Sequence, residues 1–445
     1  MNEVLIEQLV IYGTVFILCA LTIFFYTRSK KKKTLETVKK VTVAKAEGLF
    51  EPISLHPYID LKSCIGSGAC ITACPEKDII GIKDGIATVI NTSNCVGHGA
   101  CFHTCPVEAI SLRIGTEERG VDLPHVSEDY ETNIKGMYIA GELGGMGLIK
   151  NSVEQGQAAM ENMVKAKKPS MEGVLDVVII GAGPAGISAS LAAKKHGLSF
   201  VTLEQDSLGG TVYTFPRAKI VMTSPMDLPL HGKVKLFDTS KDELLQLWKK
   251  VISEHDLDIR EHIKVEQIIP IENDIFKIIT NQGEEILCLQ VLLSIGRRGT
   301  PRKLGVPGEE SQNVAYRLLE PENIHKKKVI VVGGGDSAIE SALLLIDTNE
   351  VMLSYRKDKF SRLKPKNREK IEKAIADNVI RVLFNSNLVS IADKSVLIKI
   401  DEDEPFEIEN DLVYIFAGGE LPTSFLKNAG IEITKRFGHV LKSYK

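Results

Sequence analysis

The chain has 445 residues, which is long enough for about three folded modules. Its formal net charge of −3 includes no basic excess, so the composition gives no support for a nucleic-acid partner. Eight cysteines are few for a disulfide framework, and six of them fall in one segment, which favours a metal site over a secreted, disulfide-stabilised protein.

The N-terminal segment is predicted to be a membrane anchor. Residues 8–27 carry no charge, and the run from Leu9 to Tyr26 is almost wholly apolar. A helix of that length spans about 27 Å, close to a hydrocarbon core of about 30 Å. Arg28 and residues 30–33 follow as a basic flank, so the positive-inside rule predicts a single-pass protein with the bulk of the chain in the cytoplasm.

A cleaved signal peptide is the alternative interpretation of this segment. It is disfavoured because there is no basic stretch before the apolar run, and lysines stand where a small-residue cleavage site is expected. We therefore assign residues 1–33 to the transmembrane anchor and its flank, and residues 34–56 to a charged linker or stalk.

The cysteine segment contains two copies of one pattern, C-x2-[S/H]-x2-C-x3-C-P. The pattern resembles that of the bacterial two-cluster ferredoxins, C-x2-C-x2-C-x3-C-P, with Ser67 and His98 in place of the second cysteine. We assign residues 57–114 to a small α+β ferredoxin-like iron–sulfur domain. In that family the cysteine before proline ligates the cluster of the other copy. The ligand sets that the resemblance implies are Cys64, Cys70 and Cys105 for one cluster, and Cys95, Cys101 and Cys74 for the other.

Three outcomes fit the two substituted positions. Ser67 and His98 could act as fourth ligands of [4Fe–4S] clusters, or each site could hold [3Fe–4S] on three thiolates. The domain could also be an empty relic, although retention of six cysteines and both prolines argues against that. Zinc is disfavoured because the segment has no C-x2-C pair.

The next segment, residues 115–165, includes the stretch TNIKGMYIAGELGG and then a predicted helix from about Asn151 to Lys165. It resembles the C-terminal FAD-binding piece of thioredoxin-reductase-like flavoproteins, T-x-x-P-G-[IVL]-[FY]-A-x-G-D. The resemblance implies that Gly141 and Glu142 contact FAD, with Glu142 in place of the usual aspartate. Here this piece precedes the first glycine motif, so we interpret the reductase as circularly permuted.

Residues 177–204 form a complete dinucleotide-binding unit of strand, glycine turn, helix, strand and acid. Gly181, Gly183 and Gly186 have the spacing G-x-G-x-x-G, which allows a tight turn, close approach of a pyrophosphate and close helix packing. The helix that starts near Pro184 and Ala185 directs its N-terminus at the phosphates. Glu204 is placed to accept hydrogen bonds from a ribose.

The same family resemblance extends past this unit. Gly209 and Gly210 resemble the E-x(n)-G-G-Q element near the isoalloxazine, with Thr211 in place of glutamine. Residues 292–300 resemble the crossover that leaves the FAD domain, and Arg297 and Arg298 are candidate phosphate contacts or solvated loop residues. We assign residues 174–299 to the FAD-binding domain.

A second dinucleotide unit lies in residues 300–416, which we assign to the NAD(P)-binding domain. Gly333, Gly335, Asp336, Ser337 and Ala338 give G-x-G-x-x-A at the start of a helix. The strand that follows ends without an acid. Arg356 and Arg362 come next, and arginines favour a 2′-phosphate, so we predict NADPH over NADH. Residues 417–445 are predicted to return to the FAD domain.

The predicted fold is therefore α/β, with two Rossmann-like dinucleotide-binding domains, a ferredoxin-like domain and one transmembrane helix. Residues 300–416 contain no cysteine, so the redox-active C-x2-C pair of thioredoxin reductases is missing, and the lone Cys288 lies in an apolar strand. Disulfide reduction is excluded on these grounds. Hydride transfer between stacked rings needs no protein acid or base, and no catalytic residue is predicted.

We interpret the chain as a membrane-anchored FAD-dependent NAD(P)H oxidoreductase that passes electrons between NADPH, FAD, two iron–sulfur clusters and a one-electron partner, in either direction. One alternative is an NADPH–flavin reductase for a small acceptor such as a quinone, with an empty ferredoxin domain. Another is a non-catalytic redox-sensing module. The family resemblance also suggests a homodimer.

Overall fold

The computed structural model describes most of the chain. The residues outside the description are 1–2, 47–51, 53–54, 77, 94, 96, 145–146, 168, 216–219, 223–224, 237, 298–300, 361–362, 420–421 and 443–445. The chain divides into two units, a small one formed by Met1–Gly120 with Phe437–Lys445 and a large one formed by Val121–Arg436.

The α-helices are, in chain order, α1 (Glu3–Ala46), α2 (Ala69–Ala73), α3 (Ala100–Thr104), α4 (Ile149–Lys165), α5 (Pro184–Lys195), α6 (Lys241–Glu254), α7 (Asp336–Leu345), α8 (Pro365–Ala376) and α9 (Thr423–Asn428).

The strands are, in chain order, β1 (Leu55–Ile59), β2 (Ile80–Lys83), β3 (Ile86–Val89), β4 (Ile110–Ile114), β5 (Val121–Pro124), β6 (Met137–Ile139), β7 (Leu175–Ile180), β8 (Phe200–Leu203), β9 (Ile220–Met222), β10 (Met226–Leu228), β11 (Gly232–Val234), β12 (Asp238–Ser240), β13 (Ile259–Arg260), β14 (Val265–Ile271), β15 (Ile275–Thr280), β16 (Glu285–Leu293), β17 (Val314–Ala315), β18 (Lys328–Val332), β19 (Glu350–Ser354), β20 (Arg381–Leu383), β21 (Ser386–Ile391), β22 (Ser395–Ile400), β23 (Phe406–Glu409), β24 (Leu412–Ile415), β25 (Ile433–Arg436) and β26 (His439–Lys442).

The small unit is built around the two cysteine repeats. Strand β4 lies between β1 and β26, both antiparallel to it, while β2 and β3 form a separate hairpin. Helices α2 and α3 each follow a glycine in the left-handed conformation, Gly68 at φ 76° and Gly99 at φ 74°. The two repeats therefore have the same local backbone, as their shared sequence pattern requires.

Helix α1 extends well beyond the predicted anchor. It continues through the segment predicted to be a linker as far as Ala46, and that part is joined to the β2–β3 hairpin of the same unit. Thr37 and Ala44 are buried, and Lys40 Nζ lies 2.8 Å from Asp78 Oδ1. Asp84 N–H donates to Thr34 Oγ1 at 3.0 Å. Residues 34–46, predicted to be a charged linker, are therefore helical, and these contacts attach the stretch to the small unit.

The first part of the large unit is one mixed sheet in the order β13-β8-β7-β16-β15-β14, with β6 also paired to β16. Strand β7 reads LDVVII and is almost fully buried, as expected for a strand covered on both faces. Strands β6, β7, β8 and β13 run parallel to their partners. Helix α5 packs on this sheet, and α4 packs on α5.

The second part of the large unit is a parallel sheet in the order β17-β24-β18-β19-β20. Helices α7 and α8 cover one side, and the antiparallel strands β21, β22 and β23 contribute a second core cluster. The two dinucleotide-binding folds confirm the predicted α/β class.

The C-terminal segment differs from its prediction. Helix α9 packs in the core of the FAD-type sheet through Leu426, and β25 pairs with β5 in the same unit. Strand β26, however, belongs to the small unit, where it pairs with β4. Residues 417–445 therefore do not all return to the FAD domain, because the last strand completes the ferredoxin-like sheet.

Candidate functional site

The loop after β7 requires glycine at two of its three motif positions. Gly181 has φ +103°, and a Cβ there would lie 2.6 Å from the carbonyl oxygen of Ser294. A Cβ on Gly186 would lie 1.9 Å from the carbonyl oxygen of Gly181. Because both contacts are with backbone, neither position has room for a side chain, and the loop stays tight against the sheet.

Gly183 is different, because nothing lies within 4 Å of the position its Cβ would take. It is the N-cap of α5, with Pro184 in the first turn and Ala185 buried behind it. The open space lies at a helix N-terminus, where unpaired N–H groups and the helix dipole favour a phosphate. The structure thus leaves room for a ligand at the one motif glycine that the protein itself does not fill.

Glu204 directs its carboxylate at this loop. Its Oε2 accepts a hydrogen bond from the N–H of Ala182 at 2.7 Å, and its Oε1 accepts one from the N–H of Asp206 at 3.0 Å. The side chain is only 5% exposed, and burial raises the pKa of its carboxyl. The two backbone donors hold the carboxylate in place at the end of β8, where lone pairs remain for ribose hydroxyls.

The structure brings the other predicted flavin-site glycines to the same loop. A Cβ on Gly210 would lie 3.3 Å from Gly183 Cα, and Gly209 N–H donates to the carbonyl of Ala182 at 3.0 Å. A Cβ on Gly141 would lie 3.1 Å from Ala185 Cβ. Three stretches that are distant in sequence therefore meet around the start of α5.

Glu142 begins a short 3₁₀ turn directly after Gly141. It interacts electrostatically with the half-buried Arg297. Burial lowers the pKa of the Arg297 guanidinium, while Glu142 and Asp122 act in the opposite direction. Arg298, the other arginine of this crossover, lies outside the described residues.

Gly156 was missed by sequence reasoning. A Cβ at this position in α4 would lie 2.1 Å from the carbonyl oxygen of Ala185, so glycine is needed for α4 to reach the start of α5. The sequence signal was a single glycine inside a helical pattern. Such a glycine is usually needed for close packing of the helix against a neighbour.

The second glycine loop repeats this arrangement in the parallel sheet. Gly333 has φ +138°, and a Cβ there would lie 2.6 Å from the Phe416 carbonyl oxygen. Gly335 is the N-cap of α7, and nothing lies within 4 Å of its Cβ position. Tyr355 covers Gly334 so closely that a Cβ there would lie 2.2 Å from its ring.

The polar residues predicted for this loop have different environments. Asp336 Oδ1 accepts hydrogen bonds from the N–H of Lys364 at 3.0 Å and from Asn367 Nδ2 at 2.7 Å, so its carboxylate holds the start of α8. Ser337 and Arg356 are exposed at the carboxyl edge of the sheet. Arg362 lies outside the described residues.

The structure groups the six repeat cysteines into the two sets that the ferredoxin resemblance implies. Cys64, Cys70 and Cys105 line one pocket together with Ser67. Cys101 lies close enough to Cys95 and Cys74 for their charges to influence it. The donors also fit iron, because thiolates are the ligands that iron–sulfur clusters use.

Burial makes two thiols of the second set, those of Cys95 and Cys101, poor acids unless a cation is bound. It raises the pKa of Cys101 to about 12 and that of Cys95 to about 11. Backbone N–H groups of Ala87 and Ala109 donate to the sulfurs of Cys64 and Cys105 at 3.4 and 3.3 Å. Converging sulfurs that are buried or half-buried and accept N–H donors are the arrangement expected of a site that holds a metal cluster.

His98 lies beside the second set. Its Nδ1 accepts a hydrogen bond from the N–H of Ala100 at 3.0 Å, and its Nε2 lies 3.8 Å from Cys74 Sγ. Burial lowers the pKa of its ring, which favours the neutral form. In the first repeat, Ser67 Oγ accepts a hydrogen bond from the Ala69 N–H at 3.5 Å.

Cys288 is the one cysteine within residues 178–443. It is fully buried in β16, and burial raises the pKa of its thiol to about 12. This environment suits a core side chain rather than a reactive thiol.

Two family assignments match the chain. Residues 178–443 match "Pyridine nucleotide-disulphide oxidoreductase", and residues 56–106 match "4Fe-4S dicluster domain". The first family implies FAD and NAD(P) as cofactors, and the second implies iron–sulfur clusters.

Curated relatives agree with these assignments. The chain is 26% identical to bacilliredoxin reductase of Bacillus subtilis over 59% of this chain and 82% of the relative. It is 33% identical to ferredoxin–NADP reductase of Picrophilus torridus over 53% of this chain and 67% of the relative. The corresponding protein of Ignicoccus hospitalis is 29% identical, and the match spans 57% of its length.

Solved structures show the same fold. Bacillithiol disulfide reductase of Bacillus cereus aligns with a TM-score of 0.52 and 23% identity, over 60% of this chain and 85% of that protein. The Staphylococcus aureus enzyme gives a TM-score of 0.51 and 24% identity over 59% and 84%. The chain therefore belongs to the pyridine nucleotide-disulphide oxidoreductase family and carries a 4Fe-4S dicluster domain ahead of its first glycine motif.

Proposed function

We propose that this protein is a membrane-anchored NADPH oxidoreductase that exchanges single electrons with a partner through its dicluster domain. The observation that carries the proposal is the presence in one chain of two dinucleotide loops and two sets of three converging cysteines. Relatives named ferredoxin–NADP reductase support the coupling of a nicotinamide to a one-electron carrier.

The FAD would be held around the start of α5. Gly183 would leave space for the pyrophosphate, Glu204 would accept hydrogen bonds from the adenosine ribose, and Gly141 and Glu142 would contact the ribityl side. NADPH would lie on Gly335, with Arg356 near its 2′-phosphate. Bound FAD supplies hydride acceptance and one-electron release, and iron–sulfur clusters supply one-electron transfer. The protein contributes position and electrostatics, and no side chain needs to act as acid or base.

The single cysteine in residues 178–443 supports an exit for electrons other than a disulfide. Cys288 is buried and has no second thiol nearby among the described residues. We therefore propose that the thiols of the dicluster domain, rather than a dithiol pair in the reductase fold, connect the flavin to the partner.

We also propose that His98 donates a hydrogen bond to Cys74 rather than binding iron. An Nδ1 that accepts the Ala100 N–H carries no proton, so the proton of the neutral ring sits on Nε2, which faces the sulfur. Iron ligation through Nε2 would require that proton to move to Nδ1, which would break the hydrogen bond from the Ala100 N–H. The second site would then have three protein ligands.

The order of segments supports a circular permutation of the reductase. Strand β6 precedes β7 in sequence yet completes its sheet beside β16. Strands β25 and β5 are antiparallel partners with Arg436 opposite Val121, so the chain leaves and enters the large unit at adjacent residues. We propose that the dicluster unit is joined to the reductase at the position of a former hairpin turn.

The apolar part of α1 supports membrane attachment. The stretch beginning at Ile11 is the one described helix that is long and apolar enough to cross a bilayer. The basic flank at residues 30–33 would place the rest of the chain on the cytoplasmic side. The docking of residues 34–46 on the dicluster unit would then fix that unit close to the membrane surface.

An electron-acceptor assay with cysteine variants tests the proposal. Cys70→Ser and Cys101→Ser should leave the rate of flavin reduction by NADPH unchanged but reduce transfer to a one-electron acceptor such as cytochrome c by more than about tenfold. Cys19→Ser, in the exposed anchor, is the matched control and should have no effect. Equal acceptor rates in all three variants would favour a reductase for a small acceptor with no role for the dicluster domain.

A further inference from the structure

We infer that His231, Glu254 and His255 form a binding site for a divalent cation of the zinc class, separate from both nucleotide loops and from the cysteines. His231 lies in the turn between β10 and β11, and the other two residues lie at the C-terminal end of α6. One ligand atom from each residue lies within 4.8 Å of the other two.

The geometry suits three ligands of one ion. His231 Nδ1 lies 3.3 Å from Glu254 Oε2, and the two imidazole rings are perpendicular, with centroids 6.3 Å apart. Tetrahedral zinc with ligands at about 2.0–2.1 Å requires ligand atoms roughly 3.4 Å apart. The three side chains therefore need only small movements to close on a cation.

An ion pair between His231 and Glu254 does not account for His255. The Nε2 of His255 is buried and has no hydrogen-bond partner among the described residues. A buried polar atom without a partner is costly, and such atoms in folded proteins usually have a ligand or water. A metal ion at this position would satisfy that nitrogen and the Glu254 carboxylate together.

The local charge also favours a cation. Glu254 is the last residue of α6, where the negative end of the helix dipole disfavours a carboxylate. Lys250 Nζ lies 3.6 Å from Glu254 Oε1 and is well exposed, so it offsets this unfavourable charge only weakly. A bound cation would relieve the repulsion between the carboxylate and the helix terminus.

The ligands are held by a rigid framework. His231 N–H donates to the carbonyls of Pro229 and Leu228 at 2.8 and 3.2 Å, and Leu230 has φ 64°, which fixes the turn. Leu228 and Trp248 are buried in one core cluster beneath the turn and the helix. The site is therefore largely formed before an ion binds.

Two imidazoles and a carboxylate are the ligands of borderline divalent ions such as zinc. The Glu254 side chain is 44% exposed, so the ion would retain an open position toward solvent. The opposite face of α6 supports the flavin loop, because a Cβ on Gly209 would lie 2.5 Å from Leu245. We therefore expect zinc to stabilise the helix on which the FAD site rests.

Equilibrium dialysis of the full-length, iron-replete and FAD-replete protein against limiting zinc tests the site. Zinc, iron and flavin are measured in the same sample, so zinc that enters the cysteine sites is detected as lost iron. The wild type should bind about one zinc per FAD without losing iron, and its flavin-release temperature should rise. His231→Ala and His255→Ala should lose this zinc and the temperature rise.

His196→Ala is the matched control, because His196 caps the C-terminus of α5 as His255 caps that of α6, and it is exposed. Glu254→Gln keeps the size of the side chain and should weaken zinc binding at least tenfold in a protein that still folds and holds FAD. Zinc binding that is equal in the wild type and in His231→Ala and His255→Ala, or absent from the wild type, would overturn the inference.

Discussion

Gly183 and Gly335 occupy equivalent places in the two glycine loops. Unlike Gly181 and Gly333, they have open space where a Cβ would lie. Gly181 and Gly333 are required by the protein, since any Cβ would meet backbone carbonyls. Gly183 and Gly335 have open space and φ of −77° and −98°, which any residue adopts. A methyl group there would obstruct a ligand and nothing else.

Gly335→Ala should therefore fold normally yet bind NADPH poorly. The KM for NADPH should rise about tenfold or more, equivalent to about 1.4 kcal/mol, while FAD content and thermal stability remain unchanged. Gly333→Ala is the contrast and should destabilise the domain itself. Steady-state kinetics with thermal unfolding separate the two, and an unchanged KM in Gly335→Ala would argue against nucleotide binding at this loop.

Arg356 tests the preference for a 2′-phosphate. Arg356→Glu should raise the KM for NADPH about 10- to 100-fold, because a charge-assisted hydrogen bond contributes about 1.5–3 kcal/mol, and should affect NADH much less. Arg381→Glu is the control, since Arg381 is exposed at the opposite, amino end of the neighbouring strand. Equal effects on both nucleotides would contradict the assignment.

His98 distinguishes a ligand from a hydrogen-bond donor. His98→Ala should keep the iron content of the second site but lower its reduction potential by about 40 mV, because a lost N–H to sulfur bond of about 1 kcal/mol destabilises the reduced, more negative cluster. His98→Cys restores the four-cysteine frame and should add about one iron per protein where the wild type holds three. Loss of iron in His98→Ala would show that the histidine is a ligand.

At the residue scale, the sequence predicted the residues whose type is required by local backbone sterics. It missed the residues whose role depends on contacts with distant parts of the chain. The glycines and the cysteine repeats were readable because each needs a particular residue type at a particular spacing. The carboxylate of Asp336, a predicted cofactor-binding residue, accepts hydrogen bonds from Lys364 and Asn367, and no local pattern indicates these contacts. Gly156 was missed because its reason is the approach of another helix.

At the scale of elements, the pairing of β25 with β5 supports the proposal that the reductase carries the small unit at this position. Directly opposed residues of antiparallel strands have Cα atoms about 5 Å apart, a gap that a two-residue turn closes. The two chain segments of the small unit connect to the start of β5 and to the end of β25. The sequence predicted the permuted order from the flavin segments, but it did not predict that β26 completes the sheet beside β4.

A rejoined reductase tests the permutation. Residues 174–436, an Asn-Gly turn and residues 121–165, in that order, should give a soluble protein with about one FAD and a flavin that NADPH reduces. Residues 174–436 alone lack β6 and α4 and should lose FAD. Failure of the rejoined chain to bind FAD, measured by flavin absorbance per protein, would contradict the proposed order of elements.

At the scale of the whole molecule, we propose that the chain accepts a hydride at its flavin and transfers single electrons through its dicluster domain. The family and the dicluster domain imply the cofactor classes, and Cys288, the one cysteine within residues 178–443, is buried. The C-terminal half of helix α1 is joined to the dicluster unit. The sequence did not predict that residues 34–46 pack on the small unit, because those contacts involve residues distant in sequence, such as Asp78 and Asp84.

The most direct test is iron and acid-labile sulfide per FAD, with EPR spectra, on anaerobically purified protein lacking residues 1–33. The account predicts about six to eight iron atoms per FAD and iron–sulfur signals that change when NADPH is added, as electrons pass from the flavin to the clusters. Protein that retains FAD and is reduced by NADPH, but contains no iron or holds iron whose signals do not respond, would contradict it.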